Sequence, residues 1–190
     1  MYGYEMLKRL LRRFRAIESS WHPQFIANIS EIVKPTTYAE IGIYEGETFF
    51  LVNSPKKYAV DISQNALDSI PDSKETIKIL GTSRDLASML DESKVKLDLI
   101  FIDANHAKEE VSQDFINLEH HFSEKCLVLF HDTFPKNEEY SDPKFCGDAY
   151  AAIPFLKQKY SDWAFVTIPV HPGLTIASRS PLLPDWLRDK

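Results

Sequence analysis

Short, mostly apolar runs punctuate the chain at Tyr38–Ile43, Lys57–Ile62, Thr76–Leu80, Leu97–Ile102 and Cys126–Phe130. Apolar residues at successive positions over so short a span suit strands buried on both faces, as in a parallel sheet. Between these runs the pattern loses its strand character, which predicts helices over Glu47–Val52, Gln64–Ser69, Arg84–Leu90 and Ala107–Phe122. Strand and helix in alternation build βαβ units, with helices on both faces of the sheet. A further helix over Asp148–Tyr160 leads into Trp163–Ile168 and Leu174–Ala177, spaced as a hairpin about His171-Pro172-Gly173, so the last strand is expected to insert antiparallel. Ahead of the first strand, Leu7, Leu10, Leu11 and Phe14, then Phe25, Ile26, Ile29, Ile32 and Val33, mark two helical stripes. A break between them is expected at His22-Pro23, because a residue before proline avoids helical backbone. The reading is one α/β domain with a doubly wound, mostly parallel seven-stranded sheet. Residues 1–35 form its N-terminal helical segment, 36–180 its core, and 181–190 an extended, proline-rich tail.

Composition changes this picture little. A chain of 190 residues suits one domain, and 44% hydrophobic with 26% charged residues is ordinary for a globular protein, excluding disorder and fibrous repeats. No run approaches the ~20 apolar residues of a spanning helix, and the first residues lack a secretory pattern, so a cytoplasmic protein without a membrane partner is expected. The net charge of −6 disfavours nucleic acid, whose binding depends on neutralising phosphates. The basic stretch Lys8–Arg15 reads as one solvated helix face. Cys126 falls inside a strand and Cys146 in a loop, without the clustered ligands of a zinc site or a disulfide framework. Phe49 and Phe50 are expected in the core, Trp21, Trp163 and Trp186 in packing, and His120-His121 at a helix surface.

Chemistry concentrates where the strands end. After the first strand, Glu40-Ile41-Gly42-Ile43-Tyr44-Glu45-Gly46-Glu47-Thr48 is a tight glycine turn into a helix, where backbone can approach a ligand closely. It lacks the three-glycine dinucleotide pattern, and Glu45 and Glu47 crowd the place a pyrophosphate would take. Asp61 ends the second strand, about 20 residues on, where an acid can bond ribose hydroxyls or cap the next helix. Gly81-Thr82-Ser83 after the third strand can meet an adenine edge or cap a helix. The fourth and fifth strands end in Asp103-Ala104-Asn105-His106 and His131-Asp132-Thr133. Acids at neighbouring strand ends suggest a shared divalent cation or a proton-transfer pair; Asp103, Asp132 and Asn105 would suit Mg²⁺, and a histidine ligand would shift preference to Mn²⁺, Fe²⁺ or Zn²⁺.

In this order and spacing, Glu40-x-Gly42-x-x-x-Gly46, Asp61, Asp103-x-x-His106 and His131-Asp132-Thr133 resemble the class I S-adenosylmethionine-dependent methyltransferases, and within them the macrocin-type O-methyltransferase-like group. The resemblance spans about Tyr38 to Ser178 and implies a Rossmann-like methyltransferase fold. It implies that Glu40 and Gly42, Ile43, Tyr44, Gly46 and Thr48 hold the methionine end of the cofactor. Asp61 would bond the ribose and Ile62 lie against the adenine, with Thr82 and Ser83 at its edge. Asp103 would serve cofactor and catalysis, with His106 as general base, and Asp103, Asp132 and His131 would hold Mg²⁺ or another divalent ion. His131 departs from the acid usual at its position in metal-dependent relatives. The implied activity is methylation of a hydroxyl on a small molecule, by a chain able to pair as a homodimer through its N-terminal helices. A nicotinamide-dependent oxidoreductase and a non-catalytic adenosyl-ligand-binding module are the alternatives, and the Phe134–Cys146 loop is a candidate lid.

Overall fold

The computed structural model describes residues 21–179. Helix α1 (Trp21–Val33) precedes strand β1 (Thr37–Ile41), and the chain continues through α2 (Glu47–Leu51), β2 (Lys56–Asp61), α3 (Gln64–Asp68) and β3 (Thr76–Leu80). Then come α4 (Ser83–Ser93), β4 (Leu97–Ile102), α5 (Lys108–Leu118), β5 (Phe122–His131), α6 (Ala152–Lys159), β6 (Trp163–Ile168) and β7 (Leu174–Arg179). Short 3₁₀ turns lie at Glu119–His121, Glu138–Ser141 and Ala149–Ala151.

The strands make one seven-stranded sheet in the order β3-β2-β1-β4-β5-β7-β6. Pairing is parallel from β3 through β5, while β7 runs antiparallel to both β5 and β6. The doubly wound sheet and its C-terminal hairpin are as the apolar runs predict. From β1 the chain winds outward to β3 and then returns to β4 on the other side of β1. The strand order therefore reverses between β1 and β4, and such a switch point opens a crevice beyond the strand ends.

Every residue of β1 and of β4 is buried, which explains their mostly apolar character; the acids that break it, Glu40 and Asp98, are each hydrogen-bonded. One apolar layer packs Leu86, Leu90, Phe115, Leu118 and Leu156, from α4, α5 and α6, against the sheet. The other packs Ile26, Phe49, Leu67 and their neighbours, from α1, α2 and α3, against the opposite face. Both sides of the sheet are thus covered, as a parallel sheet requires.

Several boundaries differ from the sequence reading. Pro23 lies near the start of α1 as described, where a missing N–H leaves no helical bond unmade, so the helix takes in His22 and Pro23. The earlier stripe, Trp186 and the tail fall outside the described residues. Helix α5 stops at Leu118, and Phe122 begins β5 after a 3₁₀ turn, with a register shift against β4 between Leu97 and Leu99. Phe122 packs edge-on against Phe115 and Trp163, a burial that a helical stripe and a strand satisfy equally. Phe50 is 52% exposed while Phe49 is buried, because successive residues of the short α2 point in different directions. His121 is buried, with Nε2 3.6 Å from Asp91 Oδ1, whereas His120 is exposed as expected. Among the described residues, no helix is long and apolar enough to cross a membrane.

Candidate active site

The glycine turn is built by contact between chain segments. Gly42 has φ 88°, and a Cβ there would stand 2.3 Å from the Asp103 carbonyl oxygen. Gly46, at φ 77°, caps α2 with backbone that other residues rarely adopt. Asp61 braces this turn: Oδ2 accepts from the amides of Ile43 (2.7 Å) and Tyr44 (3.4 Å), and Oδ1 from that of Ser63 (2.8 Å). Ser63, not Asp61, caps α3, its hydroxyl accepting from the Ala66 amide.

Two adjoining cavities, of about 520 and 490 Å³, open at the switch point and share Asp61 and Ala104. The first runs past Ile62, Thr82, Ser83, Asn105 and Asp114, and the second past Gly42, Tyr44, Glu45 and Asp103. Ile62 and Tyr44 offer apolar surface at the rims, 80% and 81% exposed. Glu40, Ile43 and Thr48 are buried beneath this surface and line neither cavity. Thr82 caps α4 in a reciprocal arrangement with Asp85, and the buried Ser83 hydroxyl accepts from Asn117 Nδ2 at 2.9 Å. The segment therefore caps a helix and also walls the crevice. Asp114 on α5 escaped the sequence reading. Burial pushes its carboxyl up to about 6 against a hydrogen bond from Ser83, with Glu110 adding to the rise. Its signal was an acid interrupting the apolar stripe of Val111, Phe115 and Leu118.

A further cavity, about 380 Å³ and apolar, lies at the opposite end of the strands among Ile29, Ile32, Leu127 and Ile176. Its acid, Asp98, is committed to Thr36 and Ser123.

Glu40 points into the α1–α2 layer, where the Tyr38 hydroxyl donates to it at 2.5 Å. Burial pushes its pKa up to about 8 against that hydrogen bond, Asp103 adds to the rise, and Lys57 opposes it. The folded protein thus holds a proton that the unfolded chain releases near its ordinary value of 4.5. The Glu40 contribution to stability is intact below about 4.5 and lost as pH rises to about 8. Glu40→Gln is expected to flatten this slope, raising stability relative to wild type at pH 9 and changing it little at pH 4, as read from denaturant unfolding across pH.

Beside the crevice stands a cluster of acids and imidazoles. His131 Nδ1 lies 2.9 Å from Asp103 Oδ1 and 3.5 Å from Asp132 Oδ2. His106 Nε2 lies 3.0 Å from Asp132 Oδ2. Burial works against charge on His131, but Asp103 and Asp132 outweigh it and lift its pKa to about 10. Burial would raise Asp132, yet His131 and His106 hold its carboxyl below the ordinary value. Asp132 itself takes left-handed backbone, φ 58°, a conformation that acids tolerate better than most residues. The Cys146 thiol, pushed up to about 12 by burial and then by Asp132, closes the cluster from the loop.

The sequence reading missed His22. Its ring centre lies 4.0 Å from that of His131, and burial, then His131, push its pKa down to about 3. Asn105, weighed as an oxygen ligand, lines the first cavity instead, and its Oδ1 accepts from the Ala107 amide at 2.9 Å. One ligand atom each from His22, Asp103 and His131 can be chosen within 4.8 Å of one another, and the same holds for Asp103, His106 and Asp132. Such a mixture of nitrogen and carboxylate donors fits a divalent transition ion better than the all-oxygen shell of Mg²⁺.

The start of α1, the loop after β5 and the β6–β7 turn frame the cluster. The Asp148 amide donates to the His106 carbonyl at 3.0 Å, and the Asp148 carboxylate accepts from the Lys108 amide at 2.7 Å, steadying the start of α5. Tyr140 packs edge-on against His171, ring centres 4.4 Å apart, and Trp21 Nε1 donates to the His171 carbonyl at 3.1 Å. The expected lid is thus held against the β6–β7 turn.

A family model described as a methyltransferase domain matches residues 39–133, half of the chain. No curated protein matches the chain in sequence. Among solved structures, an O-methyltransferase from Bacillus cereus in complex with S-adenosylhomocysteine superimposes with a TM-score of 0.66 at 15% identity, covering 92% of this chain and 90% of that one. An O-methyltransferase of Streptomyces achromogenes involved in tomaymycin synthesis, in complex with S-adenosylmethionine, gives 0.69 at 14%, covering 85% and 80%. An S-adenosylhomocysteine-bound methyltransferase of Podospora anserina gives 0.66 at 17%, covering 87% and 81%. At these identities the likeness is one of fold. With the switch-point crevice, the strand order and the matched residues in agreement, the chain belongs to the methyltransferase-domain family, on the class I fold.

Proposed function

We propose that the protein transfers the methyl group of S-adenosylmethionine to a hydroxyl oxygen of a small molecule. The observation that carries this reading is the position of the His106–Asp132 pair, at the β4 and β5 ends, beside a two-part crevice centred on Asp61. The larger cavity suits adenosine, with Asp61 free to accept from ribose hydroxyls through its remaining lone pairs, Ile62 against the base and Thr82, Ser83 and Asp114 about its edge. The smaller suits the methionine end, running over the Gly42 turn toward Asp103.

His106 would take the acceptor's proton as the O–CH₃ bond forms and the C–S bond breaks, its electron pair leaving with sulfur. Asp132 holds the His106 ring and stabilises the imidazolium that results. Alignment of oxygen, carbon and sulfur supplies much of the acceleration, and the braced turn between Asp61 and Gly42 keeps the donor side fixed. A divalent ion bound at Asp103 with its neighbouring donors would lower the pKa of the acceptor hydroxyl.

Calorimetric titration with S-adenosylmethionine, S-adenosylhomocysteine and NAD⁺ in parallel tests the reading. Both adenosyl compounds are expected to bind, and Asp61→Ala to weaken them by about 2–3 kcal/mol, roughly 30- to 150-fold, for lost bonds to a charged acceptor. Asp61→Asn, which can still accept from the turn amides, separates bracing from ribose binding. Binding of NAD⁺ alone would overturn the assignment.

A further inference from the structure

We propose that His22, Asp103 and His131 form a site for one divalent transition-metal ion, of the Mn²⁺, Fe²⁺, Co²⁺ and Zn²⁺ class in preference to Mg²⁺. The proposal rests on the reading of the crevice as a methyl-transfer centre and names the ion that this centre takes.

The three side chains come from separate elements: the first turn of α1, the end of β4 and the end of β5. One ligand atom from each can be chosen within 4.8 Å of the others. Among the described residues, His131 and His22 each keep one buried ring nitrogen without a hydrogen-bond partner, Nε2 and Nδ1 respectively. A buried nitrogen left unpaired is costly, and here two stand on neighbouring rings, 4.0 Å between centres, with a carboxylate beside them. Plain aromatic packing would account for the rings but not for two unclaimed nitrogens. A metal ion accounts for both: it displaces the proton that Asp103 and Asp132 hold on His131, and each imidazole then offers it a lone pair.

Two imidazoles and one carboxylate form a donor set that first-row transition ions prefer, whereas Mg²⁺ keeps oxygen ligands and several waters. His131 is 11% exposed at its side chain and Asp103 24%, so the site is screened yet reachable from the crevice. The His106–Asp132 pair lies next to it and stays available for the proton. His22 lies outside the residues that the family model matches, so this ligand is a property of the chain's own N-terminal helix.

The test uses the full chain after treatment with a chelator. Co²⁺ titration is followed by visible ligand-field absorption, Mn²⁺ by electron paramagnetic resonance and Mg²⁺ by calorimetry, with S-adenosylhomocysteine titrated alongside. The expected result is one Co²⁺ or Mn²⁺ per chain, bound at least tenfold more tightly than Mg²⁺. His22→Ala should weaken Co²⁺ by roughly 10- to 100-fold and leave S-adenosylhomocysteine binding unchanged. His22→Gln, nearer in size, carries the same expectation should the alanine variant unfold. Equal affinity for Mg²⁺, or unchanged Co²⁺ affinity in a folded His22 variant, overturns the site. Adenosyl binding without metal binding sinks this proposal alone; metal binding without adenosyl binding sinks the methyltransferase reading and leaves the site standing.

Discussion

Replacing His106 with alanine is expected to lower kcat by about 1,000-fold while leaving the affinity for S-adenosylhomocysteine unchanged. His106 Nε2 faces Asp132 Oδ2 at 3.0 Å, and the side chain is 32% exposed, which leaves it within reach of an incoming hydroxyl. The contacts that order the neighbouring loop go to its backbone: the Asp148 amide bonds its carbonyl, and Gly147 packs against that same carbonyl. Removing the ring therefore spares the loop, and Asp132 retains His131 at 3.5 Å. Single-turnover kinetics with a bound donor isolates the chemical step. A loss of less than tenfold would move the proton to another acceptor, and failure to bind S-adenosylhomocysteine would mean that the substitution had damaged the crevice as well.

Gly42→Ala is expected to cost about 3–4 kcal/mol of folding stability, combining left-handed strain with an unrelievable clash. Its Cβ would lie 2.3 Å from the Asp103 carbonyl oxygen and 2.6 Å from the Ala104 Cα, backbone atoms with no rotamer by which to move away. Gly81 makes the natural control. A Cβ there would meet the Asp85 carboxylate, also at 2.3 Å, but that is the end of a flexible side chain, and Gly81→Ala should cost about 1 kcal/mol for the disturbed cap. Denaturant unfolding of the two variants compares them directly. Equal losses would show that the turn and the β4 end can separate without penalty.

How much of this was legible in the sequence follows from what each signal depends on. Strands β1 and β4 were plain because both faces are buried and every position is constrained. The start of β5 was hidden because Phe122 satisfies one aromatic cluster from either a helix or a strand. Asp61, Asp103, His106 and Asp132 could be gathered at one end of the sheet because open parallel sheets bring their carboxyl ends together. Glu40 could not be oriented: with both faces of β1 buried, alternation does not say which side carries the polar lining, and its side chain went inward with that of Tyr38. His22 was read as punctuation before a proline, since its partner lies more than 100 residues away, at the end of β5. Asp114 was one acid among several on α5 until packing showed which of them faces inward.

Trp21 reaches across the molecule to the carbonyl of His171, and Tyr140 closes on the same turn. The crevice proposed for the donor is written in one continuous stretch, from the Gly42 turn to Asp114, whereas the wall over the acids and imidazoles is assembled from the early helix, the loop after β5 and the β6–β7 hairpin. These two halves can drift at different rates. On the proposed function, substitutions at Trp21, Tyr140 or His171 are expected to change acceptor choice while leaving the Asp61 brace beneath the donor intact.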